Sequence, residues 1–404
     1  MKSPARIILL FTALFASSCF DENDIGSDQS QSFIKFYNTY PVFTAADVKQ
    51  INGNGYALLG TITTSTDNTQ ICLIRTDEFG NSIDSARYYG QNVDGKAYCL
   101  QVLSDGGFGI LGSMKNQITG RREILLIKTD AQGNPIWTKI IGSTGNIEAK
   151  NFKIDAAGSF IMTGYAESSA TSTDKQVLVA VVDKDSNSPV WSPRKYGVEG
   201  SGKDDEGKHI EILADGNYII TGTTRSYPPG TTISHAFVMI VNTSGGSPGF
   251  FPIASNADEE GNCIRVIDDN HFLVLGTVKS ASPDSANTIM LKKISLVEFV
   301  LNTEWKKTFG STGNDFGQYL LFDSKSIYLL GTWATASNNT AVSLIITDSS
   351  GNNARYSYFG LGTQLSGCTF HRTTDNGFII SATNKHSDNS TSFTLIKTLP
   401  DGSL

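Results

Sequence analysis

Asp105-Gly106-Gly107-Phe108-Gly109-Ile110-Leu111-Gly112-Ser113 is the stretch whose reading decides the fold. An Asp followed by two glycines is a tight turn, because the carboxylate bonds nearby amides and glycine takes a positive φ without steric cost. A strand follows, with an aromatic residue, a glycine four places on, and then a hydroxyl. The register recurs at Tyr56–Gly60, Phe108–Gly112, Phe160–Gly164, Tyr218–Gly222, Phe272–Gly276, Ile327–Gly331 and Phe378–Ala382, with repeats of 51 to 58 residues. Thr or Ser follows the small residue in six copies (Thr61, Ser113, Thr223, Thr277, Thr332, Thr383), and Tyr165 stands there in the other.

Each copy has a second small residue upstream, at Ala45, Ala97, Ala149, Gly207, Gly261, Gly317 and Gly367. Small residues at one register suit the innermost strand of a radial array, where strands crowd around an axis. Three residues earlier stands a polar group in six copies (Asp94, Asn146, Asp204, Asp258, Asn314, Gln364), with Val42 in the remaining one. These side chains are expected to bond backbone amides locally in the turn entering that strand. Apolar runs such as Ile124–Ile127 and Val177–Val182 follow, then turns opened by Asp77, Asp130, Asp183, Asn242 and Asp348. The last strand of a copy reads like Trp137-Thr-Lys-Ile-Ile-Gly142. Four short strands per copy with tight turns make a propeller blade. The expected fold is all-β: a seven-bladed β-propeller with four antiparallel strands per blade.

The two ends complement each other. The last copy stops in the turn before its fourth strand, at Pro400-Asp-Gly-Ser-Leu404, while Phe33–Asn38 aligns with the fourth strand Trp137–Gly142. The N-terminal strand should therefore complete the last blade by pairing with Phe393–Lys397. The pattern resembles bacterial seven-bladed propeller repeats with Asp-Gly-Gly-Phe turns and Gly-Thr strands, through Asp105–Phe108, Asp215-Gly-Asn-Tyr218 and Asp375-Asn-Gly-Phe378. The resemblance spans residues 32 to 404 and implies fold, not activity. Trp-Asp signatures, kelch double glycines and sialidase-type boxes are absent from the sequence.

The N-terminus has a different character. Lys2 and Arg6 precede an apolar run, Ile7–Ala16, too short to span a bilayer, as in a signal peptide. The ending Ala16-Ser17-Ser18-Cys19 resembles the lipobox of bacterial lipoproteins, which implies acylation of Cys19 and contact with the lipid bilayer. An ordinary signal peptide cut near Ser18 is the plainer alternative. Asp21, Glu22 and Asp24 then resemble signals that send some Gram-negative lipoproteins to the cell surface, although a solvated tether explains them equally. The division is 1–18 signal peptide, 19–31 lipidated Cys and acidic tether, 32–404 propeller. The expected location is the outer membrane, lipid-anchored, with possible exposure at the cell surface. Extended, the twelve residues after Cys19 reach roughly 40 Å.

Charge and motifs bound the function. Charged residues are 18% of the 404, and the net charge is −7 with no basic stripe, so nucleic acid is not the expected partner. Cys72, Cys99, Cys263 and Cys368 lie in apolar strand patterns and read as buried free thiols. No catalytic elbow, zinc spacing or phosphate loop appears, and Asp183-Lys-Asp-Ser-Asn187 lacks the Glu that would finish a calcium loop. No cofactor is expected.

Loop lengths break the symmetry of the two faces. The connections between second and third strands are long and variable, and insertions gathered on one face mark a binding face. The longest, Arg225-Ser-Tyr-Pro-Pro-Gly230 running on to His235, makes Tyr227 the first contact candidate. Arg121 and Arg122 could grip an anionic group, although loop arginines are commonly just solvated. Trp333 should lie at this rim or pack into the blade. His209 shares the inner-strand register of Cys99, Asn151, Cys263, Tyr319 and Thr369, near the channel. The leading reading is a non-catalytic lipoprotein presenting this face to a protein or glycan. A propeller enzyme acting on extracellular polysaccharide is the alternative, and a scaffold subunit of an envelope complex is a third.

Overall fold

The computed structural model describes residues 31–404, apart from 65–67, 91–92, 170, 173, 186–187, 199–201, 247–248, 281–285 and 336–338. Cys19 and most of the acidic tether lie outside the described residues. Every regular element among those described is a strand. After β1 (Phe33–Tyr37) come β2 (Val42–Gln50), β3 (Tyr56–Thr63), β4 (Thr69–Thr76) and β5 (Arg87–Tyr89), paired antiparallel in chain order. The next run is β6 (Lys96–Val102), β7 (Phe108–Lys115), β8 (Arg122–Thr129) and β9 (Pro135–Ile141). Then come β10 (Ile147–Ile154), β11 (Phe160–Glu167), β12 (Lys175–Val182) and β13 (Pro189–Tyr196). The following run is β14 (Asp205–Ile212), β15 (Tyr218–Thr224), β16 (His235–Val241) and β17 (Gly249–Pro252). Next are β18 (Glu259–Val266), β19 (His271–Val278), β20 (Thr288–Val297) and β21 (Val300–Phe309). After these come β22 (Phe316–Phe322), β23 (Ser326–Ala334), β24 (Thr340–Asp348) and β25 (Arg355–Phe359). The chain ends with β26 (Gln364–Arg372), β27 (Phe378–Lys385) and β28 (Thr391–Thr398), whose outer neighbour is β1. That last pairing runs from Phe33 opposite Lys397 to Tyr37 opposite Phe393, joining the two segments expected to pair, with Asn38 left outside the ladder.

The two small registers pair directly with each other. Ala45 lies opposite Gly60, Ala97 opposite Gly112, Ala149 opposite Gly164, Gly207 opposite Gly222, and the later runs repeat this. In every run a β-bulge follows the first-strand residue at once, as between Gly207 and His209. A methyl at Gly222 would overlap the carbonyl oxygen of Glu206, so the close approach of backbone requires glycine there.

The recurrent Thr also has a purpose that spacing could not show. At Thr61, Thr277 and Thr332 the hydroxyl accepts from the amide of the next run's small residue: Ala97 N to Thr61 at 2.9 Å, Gly317 N to Thr277 at 3.3 Å, Gly367 N to Thr332 at 3.2 Å. Ala45 N to Thr383, at 2.9 Å, makes the same tie between the last run and the first. The Asp and Asn side chains, expected to act locally, instead reach the preceding run. Asn146, Asp258 and Asn314 accept from Arg122 N, Ser234 N and Asn287 N at 2.7–2.9 Å, where a third strand begins. Those amides open a strand and need an acceptor.

Apolar clusters bridge neighbouring runs. Leu59, Leu73, Leu100 and Ile127 pack together across the first two, and Phe43, Val48, Ile379 and Phe393 join the first to the last. Fourth strands such as β9 alternate exposed and covered residues, whereas β11 and β12 are almost wholly buried. The first strand of each run thus lies innermost. The Cys72, Cys99 and Cys263 thiols are free and buried, and Cys368 is free and half-buried.

Candidate binding face

The bulge builds the candidate site. It inserts one extra residue after each small one: Tyr98 in β6, Lys150 in β10, Lys208 in β14 and Asn262 in β18. Bulges re-aim side chains, and here the extra residues meet the charged residue just before the small one, Glu148, Glu206 or Glu260. Lys150 Nζ lies 2.8 Å from Glu148, 3.1 Å from the Tyr98 hydroxyl and 4.2 Å from that ring's centre. It also faces Glu206 of the next run at 3.9 Å. Tyr98 and Tyr165 both donate to Glu148, Tyr165 at 3.1 Å and Tyr98 more closely. Lys208 bonds Glu260 and Asn262 at 3.0 Å, Lys279 pairs with Glu260, and Asn262 donates to Gly317 O at 2.7 Å. The result is a continuous polar belt along β6, β10, β14 and β18. The equivalent positions in β22, β26 and β2 are Phe316 and Gln318, Ser366 and Cys368, Thr44 and Ala46, which carry no charge.

The belt is fixed electrostatically. Burial works against the Glu148 charge, yet Lys150 and the bonds from Lys150, Tyr98 and Tyr165 hold its carboxyl below the usual range. Burial and the neighbouring Glu148 push both tyrosine hydroxyls far up. Glu260 behaves like Glu148, lowered by Lys208 and Lys279 against its burial.

Tyr165 links the belt to a cleft of about 680 Å³, because Lys175 Nζ sits 4.5 Å over its ring and lines that cleft. Glu167, Asp174, Lys203, Asp204, Arg225 and Thr231 complete most of the wall. These residues come from the ends of β11 and β15, the start of β12, and the link into β14, all on the long-loop side. Buried Asp205 shapes the rim by accepting from Thr224 Oγ1 at 2.7 Å, Arg225 N at 3.1 Å and Ser226 N at 3.2 Å.

The residues singled out from sequence do not gather in one place. Tyr227 is half-buried, its ring stacked on Phe250 at 4.6 Å, beside the cleft-lining loop. Arg122 pairs with Asp94 at 2.7 Å, while the half-buried Arg121 lies just before that strand. Trp333 packs against Tyr358 and Tyr356 at 5.3 and 5.6 Å on the flank of another run. His209 is buried, its ring 5.6 Å from that of Tyr319. Sequence reasoning missed Tyr98, Glu148, Lys150 and Glu206. Their signal was the charged residues flanking the small register, which only the bulge turns into one surface.

A second axial group lies further along the same inner strands. Asp47 accepts from Val48 N at 2.8 Å, Leu100 N at 2.9 Å and Thr369 Oγ1 at 2.8 Å, and pairs with Lys49 at 2.8 Å. Lys49 Nζ touches His371 Nε2 at 2.6 Å. Across the axis Glu211 binds Lys153 at 3.0 Å and also Arg265, whose guanidinium lies 4.8 Å from the Tyr319 ring centre. No cluster able to hold a metal ion occurs among the described residues.

No protein-family model and no curated protein matches the chain. Among solved structures it is similar to an ulvan lyase of a polysaccharide lyase family, at TM-score 0.57 and 10% identity, over 89% of this chain and 95% of that one. It is also similar to the β-propeller domain of the trilobed protease from Pyrococcus furiosus, at TM-score 0.49 and 12% identity, over 89% and 94%. The repeated four-stranded antiparallel sheets give the chain a β-propeller fold. A puromycin-hydrolysing peptidase from Mycobacterium tuberculosis matches at TM-score 0.52 and 11% identity, over 89% of this chain and 51% of that one. At such identities the likeness is one of fold alone.

Proposed function

We propose that this propeller has seven blades closed into a ring by β1, is lipid-anchored through Cys19 at the outer membrane, and binds a glycan on its long-loop face without cleaving it. Closure is supported by the β1–β28 pairing, the Thr383–Ala45 bond and the apolar cluster shared by the first and last runs. The same pairing supports an orientation. Phe33 lies opposite Lys397, at the end of the fold carrying the short turns, so a tether from Cys19 would join there. The long loops would then point away from the bilayer, toward ligands at the cell surface.

The observation that carries the ligand class is the belt continuous with the cleft. It alternates amines, carboxylates and tyrosine rings, which suits the hydroxyls and apolar faces of sugar rings. A general acid or base needs a pKa near working pH, whereas Glu148 is held down and Tyr98 and Tyr165 are pushed up. That favours binding over chemistry. Cleavage of a uronate-containing polysaccharide is the second reading, favoured by the Lys150 amine beside the Tyr98–Glu148 pair.

A glycan array probed with the full mature chain tests the reading. Binding to a polysaccharide subset is expected, weakened at least tenfold in Lys150→Met, with substrate unchanged after long incubation. An array without signal would contradict the reading, and new double-bond absorbance would replace it with the lyase one.

A further inference from the structure

One run departs from the others at its outer turn. In five runs the turn after the third strand is opened by Asp77, Asp130, Asp183, Asn242 or Asp348, whose side chain accepts a backbone amide within the turn. The run of β18–β21 lacks that polar turn. Phe272 pairs with Ile294 as Phe108 pairs with Thr129, but β20 continues past Ile294 to Val297 before the chain returns at Val300. Residues 295–302 therefore form a hairpin where β8 and β9 have only 130–134 between them.

The tip of this hairpin reads Val297-Glu298-Phe299-Val300. Glu298 and Phe299 make a two-residue turn at φ 51° and 63°, where a hairpin favours Asn-Gly. A bulky aromatic is disfavoured in that conformation, so local stability does not account for Phe299. Neither does burial, since Phe299 is 67% exposed, Val300 58% and Val297 47%. The stem beneath is firmly packed. Leu296 and Ile294 are buried in an apolar cluster that Leu301 and Phe251 of β17 join. Exposed apolar groups of this kind mark contact with a protein or a membrane.

Placement favours a membrane. The hairpin lies at the short-turn end, and β1 begins at that end with Phe33 opposite Lys397, so the chain preceding β1 arrives there. Phe79 in the β4–β5 turn, Ile136 near the start of β9 and Val190 near the start of β13 are also exposed at this end. Apolar groups spread over three further runs suit an extended lipid surface better than one protein pocket. The tip carries no cation, and Lys293 on the stem is engaged by Glu304 at 2.9 Å. A zwitterionic lipid therefore fits it better than an anionic one.

We propose that the β20–β21 hairpin enters the interfacial layer of a bilayer of zwitterionic lipids through Val297, Phe299 and Val300. It acts beside an acylated Cys19, the reading on which this rests, and fixes which way the loop face points. Stable membrane attachment commonly combines two such signals.

Phosphatidylcholine vesicles with brominated acyl chains are the probe. In the full mature chain, Phe299→Trp should add emission that the brominated lipid quenches beyond the quenching of wild type. The unacylated Cys19→Ala chain should still float with the vesicles. Glu298→Asn combined with Phe299→Gly gives the turn its favoured residues, so this variant should melt no lower than its parent yet lose the vesicle-bound fraction at least fivefold. A purely structural hairpin would show no such loss. Fatty-acid labelling reports the anchor separately, whereas flotation of the unacylated chain reads the hairpin alone. No flotation, a bound fraction undiminished in the double variant, or Trp emission unaffected by bromination would each overturn the proposal and leave a protein as the partner of this tip.

Discussion

The two ends of the inner strands carry similar residue types and put them to opposite uses. Toward the long loops, Lys150 and Glu206 keep about a quarter of their side chains exposed, while the shielded Glu148 between them accepts from two tyrosines besides Lys150. Toward the short turns, Asp47 is sealed and joins three runs at once, through its own strand, Leu100 N of β6 and Thr369 of β26. Solvent-shared pairs contribute little to stability, commonly below 1 kcal/mol. Removing one partner of a buried pair costs about 3–5 kcal/mol, because the other charge is stranded. The same chemistry can therefore serve recognition at one end and cohesion at the other, and the difference between them can be attacked directly.

The largest effect should come from neither end but from the seam. Deleting residues 20–38 removes β1 and exposes the edge of β28 along Phe393–Lys397. Thermal unfolding should fall sharply and the protein should aggregate; a truncated chain that melts like the full mature one would refute ring closure by β1. Next in size is Asp47→Asn, which leaves Lys49 uncompensated. Chemical denaturation should register a loss of about 3–5 kcal/mol, against a smaller one for Lys150→Met, where Glu148 keeps the Tyr98 and Tyr165 donors.

The pH dependence of stability should also belong to the buried end. Burial and the Lys49 charge lower His371 to about 4, against the opposing pull of Asp47. Between its unfolded value near 6.5 and about 4 the unfolded chain holds the extra proton. Stability due to His371 is therefore full above pH ~6.5 and lost as pH falls through that window, by at most about 3 kcal/mol. Asp47 is lowered as well, by Lys49 and His371 working against its burial, so its own contribution persists above its unfolded pKa of about 3.9 and is lost only below it. His371→Gln should flatten the slope between pH 4 and 6.5 in equilibrium unfolding, and an unchanged slope would rule out this assignment.

Glycine substitutions probe the frame that separates the two ends. Gly222→Ala drives a methyl into the Glu206 carbonyl and should cost about 3 kcal/mol by overpacking. Gly230, at φ 84° in open space, pays only for its backbone conformation, and its Ala variant should lose about 1 kcal/mol. Similar losses at the two positions would mean that the paired small registers are not the crowded contact described.

The strands, their order and the β1–β28 pairing were legible because small residues, turn residues and apolar runs leave compositional marks at fixed spacing. The bulge was not, since one extra residue in a strand changes no composition. It alone brings Tyr98 and Lys150 beside Glu148, so that group stayed hidden although each residue was in view. The Asp and Asn of the strand entries misled for a related reason: a carboxylate reads the same whether the amide it meets lies two residues away or in the preceding run. Tyr227 stood out by its loop, yet its ring stacks on Phe250, a partner twenty-three residues on that loop length does not reveal.

On the proposed function, the loop end of the axis recognises a ligand while the turn end holds the fold together. The direct test measures glycan binding and melting temperature on the same preparations of wild type, Lys150→Met and Asp47→Asn. Lys150→Met should melt closer to wild type than Asp47→Asn does and lose binding at least tenfold. Asp47→Asn should melt far lower yet bind normally at temperatures where it remains folded. Undiminished binding by Lys150→Met, or binding lost in Asp47→Asn while it is still folded, would contradict it.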